Sequence, residues 1–262
     1  MTGGVIDLDL WQVGLAVLLV AVVIAVSVRQ RLGLERDLAV GTLRAILQLY
    51  LVGFVLAWVF DRARWWWVLL ILAVMTGIAT QAAVARLKKP PPGAHAIAAL
   101  ALSLSTAGIL VYVIGVVVQV RPWWTPQYLI PIGGMILGNA MTSASLAGDR
   151  LRADLRNRAA EVEARLALGF SGREAVRPMV RAALGAAMLP TVNGMMTVGV
   201  VQLPGMMTGQ VLAGASPLVA VEYQLVVVVM LAAATAIASL LFVRLAVARY
   251  LTPAHQFRRH LV

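Results

Sequence analysis

Seven residues bring polar or polarisable groups into stretches that are otherwise apolar: Asn139, Thr142, Asn193, Met196, Met207, Gln210 and Glu222. Amide, hydroxyl, thioether and carboxylate groups bind hydrogen-bond donors or cations. Where hydrocarbon would surround them they are expensive, so they face a protein interior or a water-filled cavity. Glu222 is the only acid after Glu174. It is either a fixed negative charge beside a cation path or an interfacial carboxylate in water. The run Gly194-Met195-Met196-Thr197 recurs as Gly205-Met206-Met207-Thr208, with Leu203-Pro204 between the two copies. A helix broken there frees backbone carbonyls to line a cavity. Thioethers suit a soft ion such as Cu(I), whereas iron prefers oxygen and imidazole. Methionine also fills irregular interiors. Met196, Met207 and Glu222 are the candidate metal ligands, and cavity lining is the competing role for the methionines.

Other chemistry finds little support. No Gly-x-x-x-x-Gly-Lys-Ser/Thr run is present to cradle a phosphate. No Ser/His/Asp set stands at an informative spacing, so no catalytic residue is assigned. His95, His255 and His260 fall in or near the polar segments and read as surface histidines. With no cysteine, disulfides and thiolate metal sites are excluded. No cofactor is expected in this chain.

The elements that position these groups are membrane helices. Apolar residues make up 61% of the chain and charged residues 13%. A helix needs roughly 20 apolar residues to cross a hydrocarbon core about 30 Å thick. The pattern predicts an all-α polytopic membrane protein of about seven spans: Leu10–Val28, Val40–Phe60, Trp65–Ala85, Ala96–Val120, Tyr128–Gly148, Ala182–Gln202 and Leu218–Val243. Residues 203–217 are left without a defined path. The whole chain, 1–262, reads as one transmembrane domain. Its longest polar segment, 149–181, is too short for a core of its own.

Charge sets the expected topology. With the N-terminus outside, inner segments hold Arg29, Arg31, Arg36, Arg86, Lys88, Lys89, eight arginines of 149–181, Arg244, Arg249, Arg258 and Arg259. Outer segments hold Arg62, Arg64 and Arg121. The positive-inside rule then gives N-out and C-in. It also accounts for the net charge of +11 without nucleic acid. Asp7 and Asp9 lie outside. The first ten residues contain no Lys or Arg, so the first span reads as a retained helix rather than a secretory signal. Trp65, Trp66, Trp67, Trp123 and Trp124 are placed for the headgroup level. Arg44 and Gln48, one turn apart in the second span, are a buried pair or snorkel inward. Gly134, Gly138 and Ala147 keep the fifth span small for close helix contact.

The segment 149–181 is rich in good helix formers up to Leu168. A helix should extend the fifth span into the cytoplasm and break at Gly169-Phe170-Ser171-Gly172. A second helix then starts, with Ser171 as N-cap and Glu174 three residues on. The result is a protruding helix–turn–helix elbow.

Glu163-Ala164-Arg165 followed by Leu168, Gly169, Phe170 and Gly172 resembles the EAA-x3-G signature of ABC importer permeases, with Arg165 in place of the second alanine. Longer stretches resemble the FetB-type permeases: Ile130 to Met141, Pro190 to Met196, Leu203 to Gln210, Pro217, and Glu222-Tyr223-Gln224. This family is linked to iron export in bacteria and aluminium tolerance in plants. The resemblance implies the membrane subunit of an ATP-driven exporter, a homodimer in a bacterial plasma membrane. It implies a separate ATPase subunit that holds ATP and Mg and receives the elbow. Two alternatives stay open: an ABC permease for an organic solute such as a sugar nucleotide, and a secondary transporter or membrane scaffold without an ATPase.

Overall fold

The computed structural model describes residues 9–62, 64–252, 254 and 256–262, with Leu10 described in its backbone only. Asp7 and His255 lie outside the described residues. Among these residues the chain is helical and connected by short turns, with two isolated bridges, Val198↔Gln202 and Leu251↔Phe257.

The helices are α1 (Leu10–Gln30), α2 (Glu35–Arg62), α3 (Trp65–Ala85), α4 (Ala94–Tyr112), α5 (Pro126–Asn157), α6 (Ala159–Ala167), α7 (Gly172–Ala175), α8 (Arg177–Thr197), α9 (Gly205–Leu212) and α10 (Pro217–Tyr250). Six of them are long and apolar enough to cross a membrane: α1, α2, α3, α4 with its π-helical extension, α5 and α10. In lipid a helix satisfies its own backbone, which is why these runs adopt that state.

Three expected boundaries change. The predicted sixth span, Ala182–Gln202, is a helix from Arg177 to Thr197 and is not among those six. Val198–Pro204 leaves the helix despite its apolar residues, through Gly199 at φ +83°. The fourth span ends its α-helical part at Tyr112 and continues as a π-helix, Val113–Val117. The single helix expected from the fifth span to Leu168 is two, because the chain bends at Arg158 (φ −114°, ψ 26°).

α4, α5 and α10 pack together at the centre, α3 packs on α4 and α5, and α8 on α5 and α10. Two buried clusters hold the bundle. One, at the end that carries the elbow, includes Leu87, Leu151, Leu155, Val162, Ala175, Met179, Phe242 and Tyr250. The other, at the end that carries α9, includes Val59, Val68, Leu110, Ile136, Val227 and Met230. Close approach depends on two glycines of α5. A Cβ on Gly133 would stand 2.6 Å from Leu72 Cδ2, and one on Gly148 2.7 Å from Phe242 Cε1. Gly134 is tight against Met75, at 3.0 Å. Gly138, expected to pack, faces open space instead.

α1 and α2 form a hairpin that the rest of the chain barely covers; 6% of each window is buried. Its turn is fixed by Ser27, whose hydroxyl donates to Glu35 Oε1 at 2.9 Å and accepts from Leu34 N. Arg44 and Gln48 are both exposed on α2, so no intrachain burial joins them.

Candidate functional site

The elbow is built by local chemistry. α6 ends in a Schellman closure: Phe170 N donates to the Arg165 carbonyl and Gly169 N to that of Leu166. Gly169 carries the left-handed conformation this closure needs, φ +90°. Ser171 then caps α7 by accepting from Glu174 N, while Ser171 N donates to Glu174 Oε2 at 2.9 Å. The anticipated turn and capping box are both present.

The inner side of the elbow is anchored. Val162, Ala175 and Val176 are buried and belong to the same cluster as Leu151, Leu155 and Met179. Burying one valine of this kind stabilises by about 1.5–3 kcal/mol. The outer side is bare: Leu168 is 77% exposed and Phe170 47%. Glu163 and Ala164 are exposed beside them. Arg165 pairs with Glu161 at 3.0 Å within α6. Arg158 also holds Glu161, donating from Nε and Nη2 at 2.8 and 2.9 Å. The Arg158 hydrogen bonds, aided by the nearby Arg158 and Arg165 charges, hold the Glu161 carboxyl below its ordinary value against a smaller opposing effect of burial.

The tail closes over this end. Phe257, Leu261 and Val262 pack on the elbow-end cluster. Lys89 Nζ donates to the His260 carbonyl at 3.3 Å, and Arg259 lies 3.8 Å from Glu163. The elbow therefore touches both the bundle and the tail.

The intramembrane polar residues occupy two levels. Gly138, Asn139 and Thr142 form an exposed stripe on α5. Asn139 Nδ2 donates to the Met135 carbonyl at 3.0 Å and Thr142 Oγ1 to that of Gly138 at 2.9 Å. Asn139 lies roughly 20 Å along α5 from Pro126, at 1.5 Å per residue. Ser143 and Ser145 turn inward as helix–helix contacts. Ser145 donates to the Ala83 carbonyl of α3 at 3.0 Å, and Ser143 to the Thr235 carbonyl of α10 at 3.4 Å.

The other predicted residues sit nearer the opposite end. Asn193 and Met196 are exposed on the last turns of α8, Met196 to 78%. Met207 and Gln210 are half-buried on α9, and Glu222 is exposed on the second turn of α10. Met207, Gln210 and Glu222 thus share one helical hairpin. A cavity of about 600 Å³ lies elsewhere, between α3 and α4, lined by Leu72, Thr76, Thr106, Ile114 and Trp123 among others. None of the seven predicted residues lines it. Among the described residues no group of three His, Cys, Asp or Glu side chains could hold a metal. Sequence reasoning passed over Gln224, which is buried on α10 with its Oε1 unpartnered. The available signal was an amide inside an apolar span.

Three tryptophans gather where α2 meets α3. Trp66 and Trp67 stack at 4.0 Å, Trp58 meets Trp67 edge-on at 4.6 Å, and Arg62 lies over Trp58.

Six apolar helices, an anchored elbow and a polar stripe inside the apolar zone define a polytopic helical membrane protein. The chain belongs to the UPF0014 family, an uncharacterised protein family whose model matches residues 10–251. It is 44% identical to a UPF0014 membrane protein of Synechocystis, covering 87% of this chain and 88% of the relative. It is 36% identical to Protein ALUMINUM SENSITIVE 3 of Arabidopsis thaliana, covering 94% and 88%. It is 32% identical to the "Probable iron export permease protein FetB" of Escherichia coli, covering 94% and 93%. No solved structure matches the chain.

Proposed function

We propose that the chain is the membrane-spanning subunit of an ATP-driven transporter of the ABC class. It works as a homodimer in a bacterial plasma membrane and exports iron or another metal ion or complex. ATP and Mg are held on a separate ATPase subunit, so this chain is a permease and not an enzyme. One observation carries the reading: the elbow pairs an anchored inner side, at Val162 and Ala175, with exposed Leu168 and Phe170 on its outer side. Such a joint transmits force from a docked partner into α5 and α8. The name of the Escherichia coli relative supports the permease role and the cargo. Residues Asn139, Thr142, Asn193, Met196, Met207, Gln210 and Glu222 are proposed to face the path.

The test is co-expression with a candidate P-loop ATPase, joint purification and reconstitution. Co-elution, with ATP hydrolysis stimulated by a metal ion, is expected. Stimulation by a sugar nucleotide instead would move the substrate assignment. Failure of every candidate ATPase to co-elute would overturn the reading.

A further inference from the structure

The chain reverses after α10 and lies back over the elbow end of the bundle. Main-chain bonds set its register: Thr252 N donates to the Gln256 carbonyl and Arg258 N to that of Tyr250, both at 2.9 Å. Tyr250, buried at the end of α10, fixes the root of the turn. Residues 256–262 then make three kinds of contact. Phe257, Leu261 and Val262 pack on the elbow-end cluster. Lys89, in the turn between α3 and α4, donates from Nζ to the carbonyls of His260 and Val262 at 3.3 and 3.4 Å. Arg259 pairs with Glu163 of α6 at 3.8 Å. One short strap thus ties the end of α10 to the α3–α4 turn and to the elbow, which lie far apart in sequence.

These contacts differ in strength. The elbow's own seat is firm, because Val162 and Ala175 are buried in the cluster shared with the bundle. The polar contacts of the strap are exposed: Lys89, Glu163 and Arg259 all lie at the surface. Exposed ion pairs are weak and screened by salt. The strap also engages only part of the elbow. Arg259 neutralises Glu163, whereas Leu168 and Phe170 stay bare.

We propose that residues 256–262 are a latch on the elbow, which the ATPase opens as it docks. This latch, which rests on the transporter reading, regulates the docking face of that reading. The bare Leu168 and Phe170 meet an apolar pocket of the partner first. A cationic or amide donor in the same groove then takes Glu163 from Arg259. While the latch is closed, the partner's apparent affinity is lowered by the fraction of molecules that are open. Opening also loosens the strap at Lys89 and so frees the α3–α4 turn. Because α3 and α4 both pack on α5, that release reaches the bundle by a route separate from α6.

The probe is a P-loop ATPase that co-elutes with the chain, titrated onto the purified full chain in detergent. Arg259→Gln should tighten binding about two- to fivefold, the range of one exposed ion pair. Arg258→Gln removes the same charge from the same segment and should leave the affinity at the wild-type value. The chain has no cysteine, so Lys89→Cys/His260→Cys can be joined by a short bis-maleimide. The joined protein should bind the ATPase about tenfold more weakly than the unjoined one, since the open state is no longer populated. Gel filtration checks that each form is intact, and the Arg259→Gln comparison decides by itself if the cysteine variant is not. Unchanged or weaker binding by Arg259→Gln, an equal gain in Arg258→Gln, or equal binding by the joined and unjoined proteins overturns the latch. An intact cysteine pair that fails to join overturns it also. If no ATPase co-elutes with the wild type or with Arg259→Gln, the transporter reading falls and the latch with it. Co-elution with one affinity throughout overturns the latch alone, so the two failures are distinguishable.

Discussion

Arg86 donates from Nη1 to the hydroxyl of Thr142 at 3.2 Å, joining the C-terminal end of α3 to the polar stripe of α5. Thr142 also bonds the Gly138 carbonyl on its own helix. The stripe therefore carries a cation at its elbow end, held by a group the sequence alone marked as a pathway residue.

Thr142→Val keeps the shape and removes both bonds. An exposed hydrogen bond of this kind is worth about 0.5–1.5 kcal/mol net. The variant should reach the membrane at the wild-type level, and its transport rate should fall severalfold. A wild-type rate in a working flux assay would take Thr142 out of the path.

Gly169→Val should leave the protein inserted and detach the ATPase. At φ +90° the position has room for a side chain but not the right backbone. The left-handed conformation costs an L-residue about 1–2 kcal/mol, more for a β-branched one. Pull-down with the ATPase reads the effect, and full recovery of the complex would remove the turn from docking.

Gly148→Ala and Gly138→Ala should separate. A methyl on Gly148 meets the Phe242 ring at 2.7 Å and Leu87 Cδ2 at 3.0 Å. Overpacking there should cost about 1–3 kcal/mol and lower the thermal midpoint in detergent. A methyl on Gly138 meets nothing within 4 Å of its own chain, so the midpoint should hold. If a second copy covers the stripe, the bulkier Gly138→Leu should weaken dimer cross-linking without lowering the midpoint.

The pH response of the elbow follows from Glu161. Its carboxyl is held below the ordinary 4.5 by Arg158 and Arg165. A depressed folded-state value means the stabilisation is complete above the unfolded value and lost as pH falls through the folded one. ATPase docking should be flat across neutral pH and weaken only in the acid range below 4.5. Glu161→Gln should flatten that acid limb, and a wild-type limb in the variant would assign it to another group.

A reporter fused after Pro92 should lie in the cytoplasm and one near Pro122 outside. The motive is the concentration of basic residues in alternate segments. An external reporter at Pro92 would reverse the topology.

Features governed by neighbouring residues could be read from the chain. The Ser171–Glu174 capping box, the Gly169 turn and the Pro90–Gly93 break between α3 and α4 depend on contacts three or four residues apart. The bend at Arg158 could not. No Gly or Pro marks it, and it accompanies the docking of Val162 on a cluster drawn from distant helices. Val198–Gln202 reads as helix by apolarity, yet Gly199 at φ +83° turns it into a loop. Gly138 was assigned to packing because small residues usually serve it, whereas Gly133 and Gly148 do so here. Which glycine meets a neighbour depends on helix rotation, and composition does not encode that.

The sparse contact between the α1–α2 hairpin and the later helices bears on how the protein is made. This hairpin leaves the ribosome before the later helices that it barely touches. Its backbone is satisfied within each helix, and Ser27 and Glu35 close its turn without help from downstream sequence. It is thus a self-sufficient insertion unit, resident in the bilayer before α5, the scaffold of the bundle, has been synthesised.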